Sequence, residues 1–276
     1  MARRVAANGP GRLERLIRRD RAIVLVSVSL IVLLAAWYTV SGQGMSMSAL
    51  EMTRMARPIG EPMAMGPGRS WSPAYAVLIF LMWWIMMIAM MAPSAAPTLL
   101  LFTALKRRTA GSARAPVFGL CFLAGYLVAW AGFSMVATAL QWALQPAGLI
   151  SAPMMTVSSR LFAAAILVAA GLYQLTPLKA ACLRHCRSPA RFLSEHRRPG
   201  LGGAFRMGAH HGAYCLGCCW ALMALLFVGG IMNLWWIAGL AVFVALEKLA
   251  PLGNGFARIS GLALIGFGLF VGLSAP

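Results

Sequence analysis

The stretch Pro73-Ala-Tyr-Ala-Val-Leu-Ile-Phe-Leu-Met-Trp-Trp-Ile-Met-Met-Ile-Ala-Met-Met-Ala-Pro-Ser-Ala-Ala-Pro-Thr-Leu-Leu-Leu-Phe-Thr103 contains no charged residue. About 20 apolar residues suffice to carry an α-helix across a hydrocarbon layer of roughly 30 Å, so this segment reads as a membrane span. Composition extends the reading to the whole chain. It is 61% hydrophobic and only 11% charged, with a mean hydropathy of +0.78, whereas a soluble domain is about one-quarter charged. The expected fold is an all-α polytopic membrane helical bundle.

The same rule gives seven spans, at about 22–41, 73–103, 117–144, 157–177, 210–230, 233–250 and 256–274. The first belongs with a basic tail and a Met-rich loop in a unit over 1–72. The remainder, 73–276, forms one membrane domain. Pro93 and Pro97 predict a kink or an end to regular helix in the second span. Gly229, Gly230 and Asn233 predict a tight hairpin between the fifth and sixth, because glycine reaches the positive φ such turns need. Gly119, Gly125, Gly261, Gly266 and Gly268 read as close helix contacts.

A formal net charge of +18 invites a nucleic-acid reading, but the positions of the charges argue otherwise. Arg3, Arg4, Arg12, Arg15, Arg18, Arg19 and Arg21 precede the first span, and Lys106, Arg107, Arg108 and Arg114 follow the second. Lys179, Arg184, Arg187, Arg191, Arg197, Arg198 and Arg206 follow the fourth, whereas the other side carries mainly Arg54, Arg57, Arg69 and Arg160. This is the positive-inside pattern, with a cytoplasmic N-terminus and an external C-terminus. The basic residues then face anionic lipid rather than nucleic acid. The first apolar run is long and has no clear Ala-x-Ala site after Val40, so it reads as an uncleaved helix.

Chemistry concentrates between Cys182 and Cys219, where all four histidines and five of the six cysteines lie. Thiolate and imidazole bind Cu(I), Zn(II) and related ions. His211, Cys215, Cys218, Cys219 and Leu222 share one helical face, and Cys182 and Cys186 stand one turn apart. His185, inside the Cys182–Cys186 segment, and His210 are weaker candidate ligands. His196 reads as a solvated loop residue, and Cys121 as a small buried hydrophobe. A cytoplasmic location keeps thiols reduced, which leaves metal ligation or transient redox work.

Methionine supplies a second soft donor. Met82, Met86 and Met90 form a stripe, with Met87 and Met91 beside it; Met86 and Met90 are the candidates for a thioether path that favours copper(I) over zinc. Helix packing explains the same stripe. Met45, Met47, Met52, Met55, Met63 and Met65 sit in the external loop, either as a copper-capturing segment or as a plain linker. An ionisable group at membrane depth is a candidate functional one; Glu247 and Lys248, however, are expected at the cytoplasmic end of the sixth span, where Lys248 snorkels and Glu247 pairs with an arginine.

Ala89-Met-Met-Ala-Pro93, Tyr173-Gln-Leu-Thr-Pro-Leu-Lys179, Cys182 to Pro189, Cys215-Leu-Gly-Cys-Cys-Trp220, Gly230-Ile-Met-Asn233 and Glu247-Lys248 resemble a bacterial family described as predicted metal-binding integral membrane proteins. The resemblance covers about 73–272 and implies metal ligation through the paired cysteine motifs. It brings no established transport or catalytic activity.

Three functions compete. The first is binding a transition metal, copper(I) foremost, in metal transport, delivery or homeostasis, as a carrier, permease or assembly factor that moves the ion down a gradient or onto a metalloprotein or metallochaperone partner. The second is a thiol-disulfide oxidoreductase working through Cys215 and Cys218. The third is a scaffold with a closed zinc site of Cys182, Cys186, Cys215 and Cys218. Six acidic residues leave little material for general acid-base catalysis, and the chain shows no nucleotide-binding glycine motif with which to pump.

Overall fold

The computed structural model describes residues 12–43, 45, 47–61, 70–111, 114–151, 155–250 and 253–274. Apart from one isolated bridge between Ile150 and Val157, the regular structure among the described residues is helical: α1 (Arg12–Ser41), α2 (Ala49–Arg54), α3 (Pro73–Ala110), α4 (Ala115–Leu144), α5 (Arg160–Gln174), α6 (Pro177–Arg187), α7 (Pro189–Glu195), α8 (Gly200–Ala224), α9 (Leu226–Gly229), α10 (Leu234–Leu249) and α11 (Gly253–Leu273).

Five of the described helical segments are long and apolar enough to cross a membrane: Val24–Ser41, Pro73–Thr109, Ala115–Leu144, Gly200–Gly229 and Gly255–Leu273. The expected count of seven is therefore not reached, for two physical reasons. The fourth expected span breaks at Thr176-Pro177, where proline forces its predecessor out of the helical region; Thr176 is extended (φ −73°, ψ 147°) and caps α6. α5 and α6 then meet at a 64° bend, and only together would they make a sixth span. The sixth expected span is α10, whose 16 residues reach about 24 Å at 1.5 Å per residue.

Of the two outcomes expected at the prolines of α3, an end to the helix does not occur. The helix runs through Pro93 and Pro97 and on to Ala110, 38 residues in all. The hairpin forms as expected: Gly230 has φ 95°, and the Asn233 side chain caps α10 by accepting from Trp235 N at 3.1 Å.

α4 packs along α8, α5 along α11, and α3 against both α1 and α4. The α4–α8 crossing depends on missing side chains. A Cβ on Gly208 would sit 1.8 Å from Phe122 O, and one on Gly125 2.0 Å from Phe205 O. Gly119, Gly261 and Gly268 are also at close contacts, whereas Gly266 faces open space and corrects the expectation for that residue.

The outer surface is apolar. Leu33 and Trp37 on α1, Leu120 and Trp142 on α4, and Ile259 and Phe270 on α11 are all exposed, a pattern that lipid accommodates and water does not. One end of the bundle gathers the loop after α2, the start of α5 and the end of α11, since Arg160 hydrogen-bonds Glu61 and Ser274 O. The other end joins the end of α3 to α7 and the start of α8, around Lys106, Leu193 and Arg197.

At the first end, α2 is closed by a capping box: Ser48 N and Oγ both donate to Glu51 Oε2 at 2.8 Å. The hydroxyl bond above all holds the Glu51 carboxyl below the usual range. Met45, Met47, Met52 and Met55 of the expected Met-rich loop pack on the core; Met63 and Met65 lie outside the described residues, as do Arg3, Arg4 and Arg69.

Gly208→Ala is expected to abolish or sharply reduce the folded fraction recovered in detergent, and Gly266→Ala to leave it at the wild-type level. Fluorescence-detected gel filtration of the two variants side by side reads this contrast.

Candidate soft-metal site

The bend at Thr176 positions the site. Thr176 Oγ1 accepts from Lys179 N at 3.2 Å, and Pro177 occupies the first helical position, where its missing N–H costs nothing. α6 then lies against α8 with Lys179, Cys182, Leu183 and Cys186 at i, i+3, i+4 and i+7, one face of the helix. Lys179 and Leu183 are buried and the two cysteines half-buried. Cys186 Sγ comes within 3.9 Å of Cys218 Sγ on α8, and Cys182 Sγ lies over Gly217.

α8 presents the face read from its spacing. His211, Cys215, Cys218, Cys219 and Leu222 are all buried. Cys218 and Cys219 each donate to Cys215 O, at 3.0 and 2.9 Å. Cys215 Sγ stands 3.1 Å from the Tyr126 hydroxyl, and that hydroxyl donates to Met91 O at 3.0 Å.

The methionine that reaches the thiols is Met91: Cys219 Sγ is 4.0 Å from Met91 Sδ. Met86 and Met90 are buried in the hydrophobic core.

Contrary to the snorkelling expectation, Lys248 turns away from the helix end. Only 5% exposed, it points its ammonium inward, donating to Cys215 Sγ at 2.9 Å, Ser94 Oγ at 3.4 Å, Cys219 Sγ at 3.7 Å and Met91 Sδ at 3.9 Å. Glu247 likewise departs from expectation, pairing with a lysine: Lys179 Nζ donates to Glu247 Oε2 at 2.7 Å, with both side chains buried. Lys179 also donates to Gln174 Oε1, whose Nε2 donates to Ser260 Oγ at 3.1 Å. Arg187 Nε donates to the Glu247 carbonyl at 2.9 Å. This network joins α5, α6, α10 and α11 behind the thiols.

The histidines divide. His211 is buried in the core beside Tyr126 and Phe192, its Nδ1 without a partner among the described residues. His185 stacks on Tyr214 at 4.1 Å, and His196 stacks on Phe192 at 4.8 Å rather than standing free in solvent. The exposed His210 has its ring 5.7 Å from that of His196. These three rings lie toward the basic end; Cys215 and Cys219 sit one and two turns beyond His211. Beside them Arg191 donates to Glu195 at 2.6 Å, and this bond holds the Glu195 carboxyl below its ordinary range.

Among the described residues, no three His, Cys, Asp or Glu side chains come together closely enough to hold an ion. The sulfurs approach in pairs. Two sulfurs each about 2.3 Å from one ion stand between about 3.8 Å (tetrahedral) and about 4.6 Å (linear) apart, and the Cys186–Cys218 and Cys219–Met91 spacings both fall in that interval.

Spacing in sequence announced the α8 face. It did not announce Met91, Tyr126, Lys179 or Lys248 as neighbours of the thiols; the one available signal was the ionisable Glu247-Lys248 pair in an apolar run.

Fold and site thus define an all-helical protein with helices of membrane-spanning length and a buried set of soft sulfur donors. The chain belongs to the copper chaperone family PpoB2, whose family model matches residues 80–271, from within α3 to within α11. Its function is therefore copper-related. No curated protein and no solved structure matches the chain.

Removing the carboxylate from the Lys179–Glu247 pair leaves a buried ammonium uncompensated, at a cost of about 3–5 kcal/mol. Glu247→Leu is accordingly expected to lower the denaturation midpoint strongly, and Lys179→Met combined with Glu247→Leu to recover most of the loss, as a double-mutant cycle on the purified protein will show.

Proposed function

We propose that this protein is a polytopic membrane copper chaperone that takes Cu(I) as cargo on the thiols of Cys186, Cys215, Cys218 and Cys219 with the Met91 thioether, and hands it to a metalloprotein or metallochaperone partner. The observation that carries the reading is the meeting of α6 and α8, which brings Cys186 to 3.9 Å from Cys218. Membership of a copper chaperone family supports copper as the ion.

The donor set favours Cu(I) over zinc. Thiolate and thioether are soft and select Cu(I), and Cu(I) is satisfied by two or three such donors. A structural zinc site closes four ligands around the ion; here Cys182 lies over Gly217 while Cys215 faces Tyr126 and Lys248. Low coordination also suits a carrier, because an incoming thiol on a partner has an open position from which to start ligand exchange.

The distribution of charge supports an orientation in a bacterial inner membrane. Lys106, Arg184, Arg191, Arg197 and Arg198 cluster toward the end where α3 stops and α8 starts, and Arg54, Arg57 and Arg160 toward the other. By the positive-inside rule the first end is cytoplasmic. His185, His196 and His210 then lie on the cytoplasmic side of the thiols, where borderline imidazole ligands would relay an ion toward softer sulfur.

Anaerobic loading with Cu(I) against a chromogenic chelator tests the assignment. Cys186→Ser and Cys218→Ser are each expected to weaken copper retention at least about tenfold, while Cys121→Ser keeps wild-type retention; equal retention in all three would remove the α6–α8 thiols from the site.

A further inference from the structure

We propose that Lys248 makes the sulfur site selective for charge as well as for softness, admitting a soft monovalent cation and rejecting divalent ions. This rests on the sulfur cluster being the ion site. Its own observation is different: an ammonium, nearly inaccessible to solvent, surrounded by three sulfurs, with Nζ 2.9 Å from Cys215 Sγ, 3.7 Å from Cys219 Sγ and 3.9 Å from Met91 Sδ.

Charge balance in a dry interior supplies the mechanism. Cysteines bind a metal as thiolates, releasing their protons. Two thiolates and one Cu(I) carry a net charge of −1, and a charge taken out of water is costly unless an opposite one cancels it. Lys248 cancels it. With a divalent ion in the same place, the two thiolates already neutralise the metal and the ammonium is left over, repelled by the ion and unable to reach water.

The surroundings do not offset that surplus. Glu247, the acidic residue nearest the cluster, is engaged by Lys179. Arg187 adds a further positive group on the α6 side, its Nη2 without a hydrogen-bond partner among the described residues. Thiol and thioether softness already favours Ag(I) over Cd(II); the lysine adds a discrimination by charge, which its removal subtracts while leaving the sulfur donors in place.

Ag(I) and Cd(II) isolate the effect, since both are thiophilic, redox-inert and isoelectronic and differ in charge. Their affinities for the purified full-length protein are measured by competition and expressed relative to a small dithiol competitor. The wild type is expected to favour Ag(I) over Cd(II) by at least about 100-fold more than the competitor does. Lys248→Leu, which removes the charge without adding a ligand, is expected to shift that ratio toward Cd(II) at least about tenfold, and Lys248→Arg to hold it within about threefold. A lysine that merely supports the fold would weaken both ions together, so an unchanged ratio in Lys248→Leu overturns the proposal. If Lys248→Leu does not fold, the wild type decides: Cd(II) taken up as readily, relative to the dithiol, as Ag(I) overturns it too. Failure of the wild type to bind either ion is a distinct outcome that overturns the sulfur-site reading and this proposal with it.

Discussion

The structure depends on how an apolar bundle accommodates buried charge. Lys179, Glu247 and Lys248 are all buried, in surroundings where an isolated ion is far more costly than in water. Glu247 and Lys179 neutralise each other, and in doing so fix α6 to α10 at the height where α6 crosses α8. Among the described residues, the groups that receive the Lys248 ammonium are sulfur atoms and one hydroxyl, and none is a carboxylate. Because Lys179 and Cys186 lie on one face of α6, the ion pair that anchors the helix also sets how far Cys186 extends toward Cys218.

That anchoring explains why the short elements matter more than the long ones. α3, α4 and α8 are long enough to cross a membrane and pack through glycine contacts that admit little rearrangement. They supply a rigid wall. α6, only 11 residues and of mixed polarity, is held to that wall by the Thr176 cap, the Lys179–Glu247 pair and the Arg187 bond to the Glu247 carbonyl. A helix fixed by a few polar contacts opens more cheaply than one buried along its length, so α6 can shift against α8 without disturbing the α4–α8 crossing.

Much of this was legible in the sequence, and the failures have particular causes. The His211–Cys215–Cys218–Cys219 face followed from helical periodicity, because α8 is regular and the period of 3.6 holds from end to end. The α6 bend is not legible because Gln174, Thr176 and Pro177 mark the end of an apolar run, and nothing in the sequence says that helix resumes at once and turns back onto α8. Proline does not end α3, because each ring removes only one donor, freeing Ala89 O at Pro93 and Pro93 O at Pro97, and a long helix packed on its neighbours tolerates such losses. The stripe that points to Met86 and Met90 is a property of one helix, whereas the neighbours that single out Met91 come from α4, α8 and α10 together.

Lys248 shows where one-dimensional reading stops. A lysine in the last turn of an apolar helix has two ways to satisfy its charge: it can extend along the helix to water, or turn inward to anionic partners. Helix length decides between them. α10 ends at Leu249 after 16 residues, too short to bring its last turn to the level where α3 stops and α8 starts. From that depth the four-carbon stem reaches the thiols of α8 rather than the basic end of the bundle. A turn added to α10 would move Lys248 by about 5.4 Å along the helix, enough to carry its ammonium off the sulfur atoms, so the length of α10 sets which groups the lysine meets.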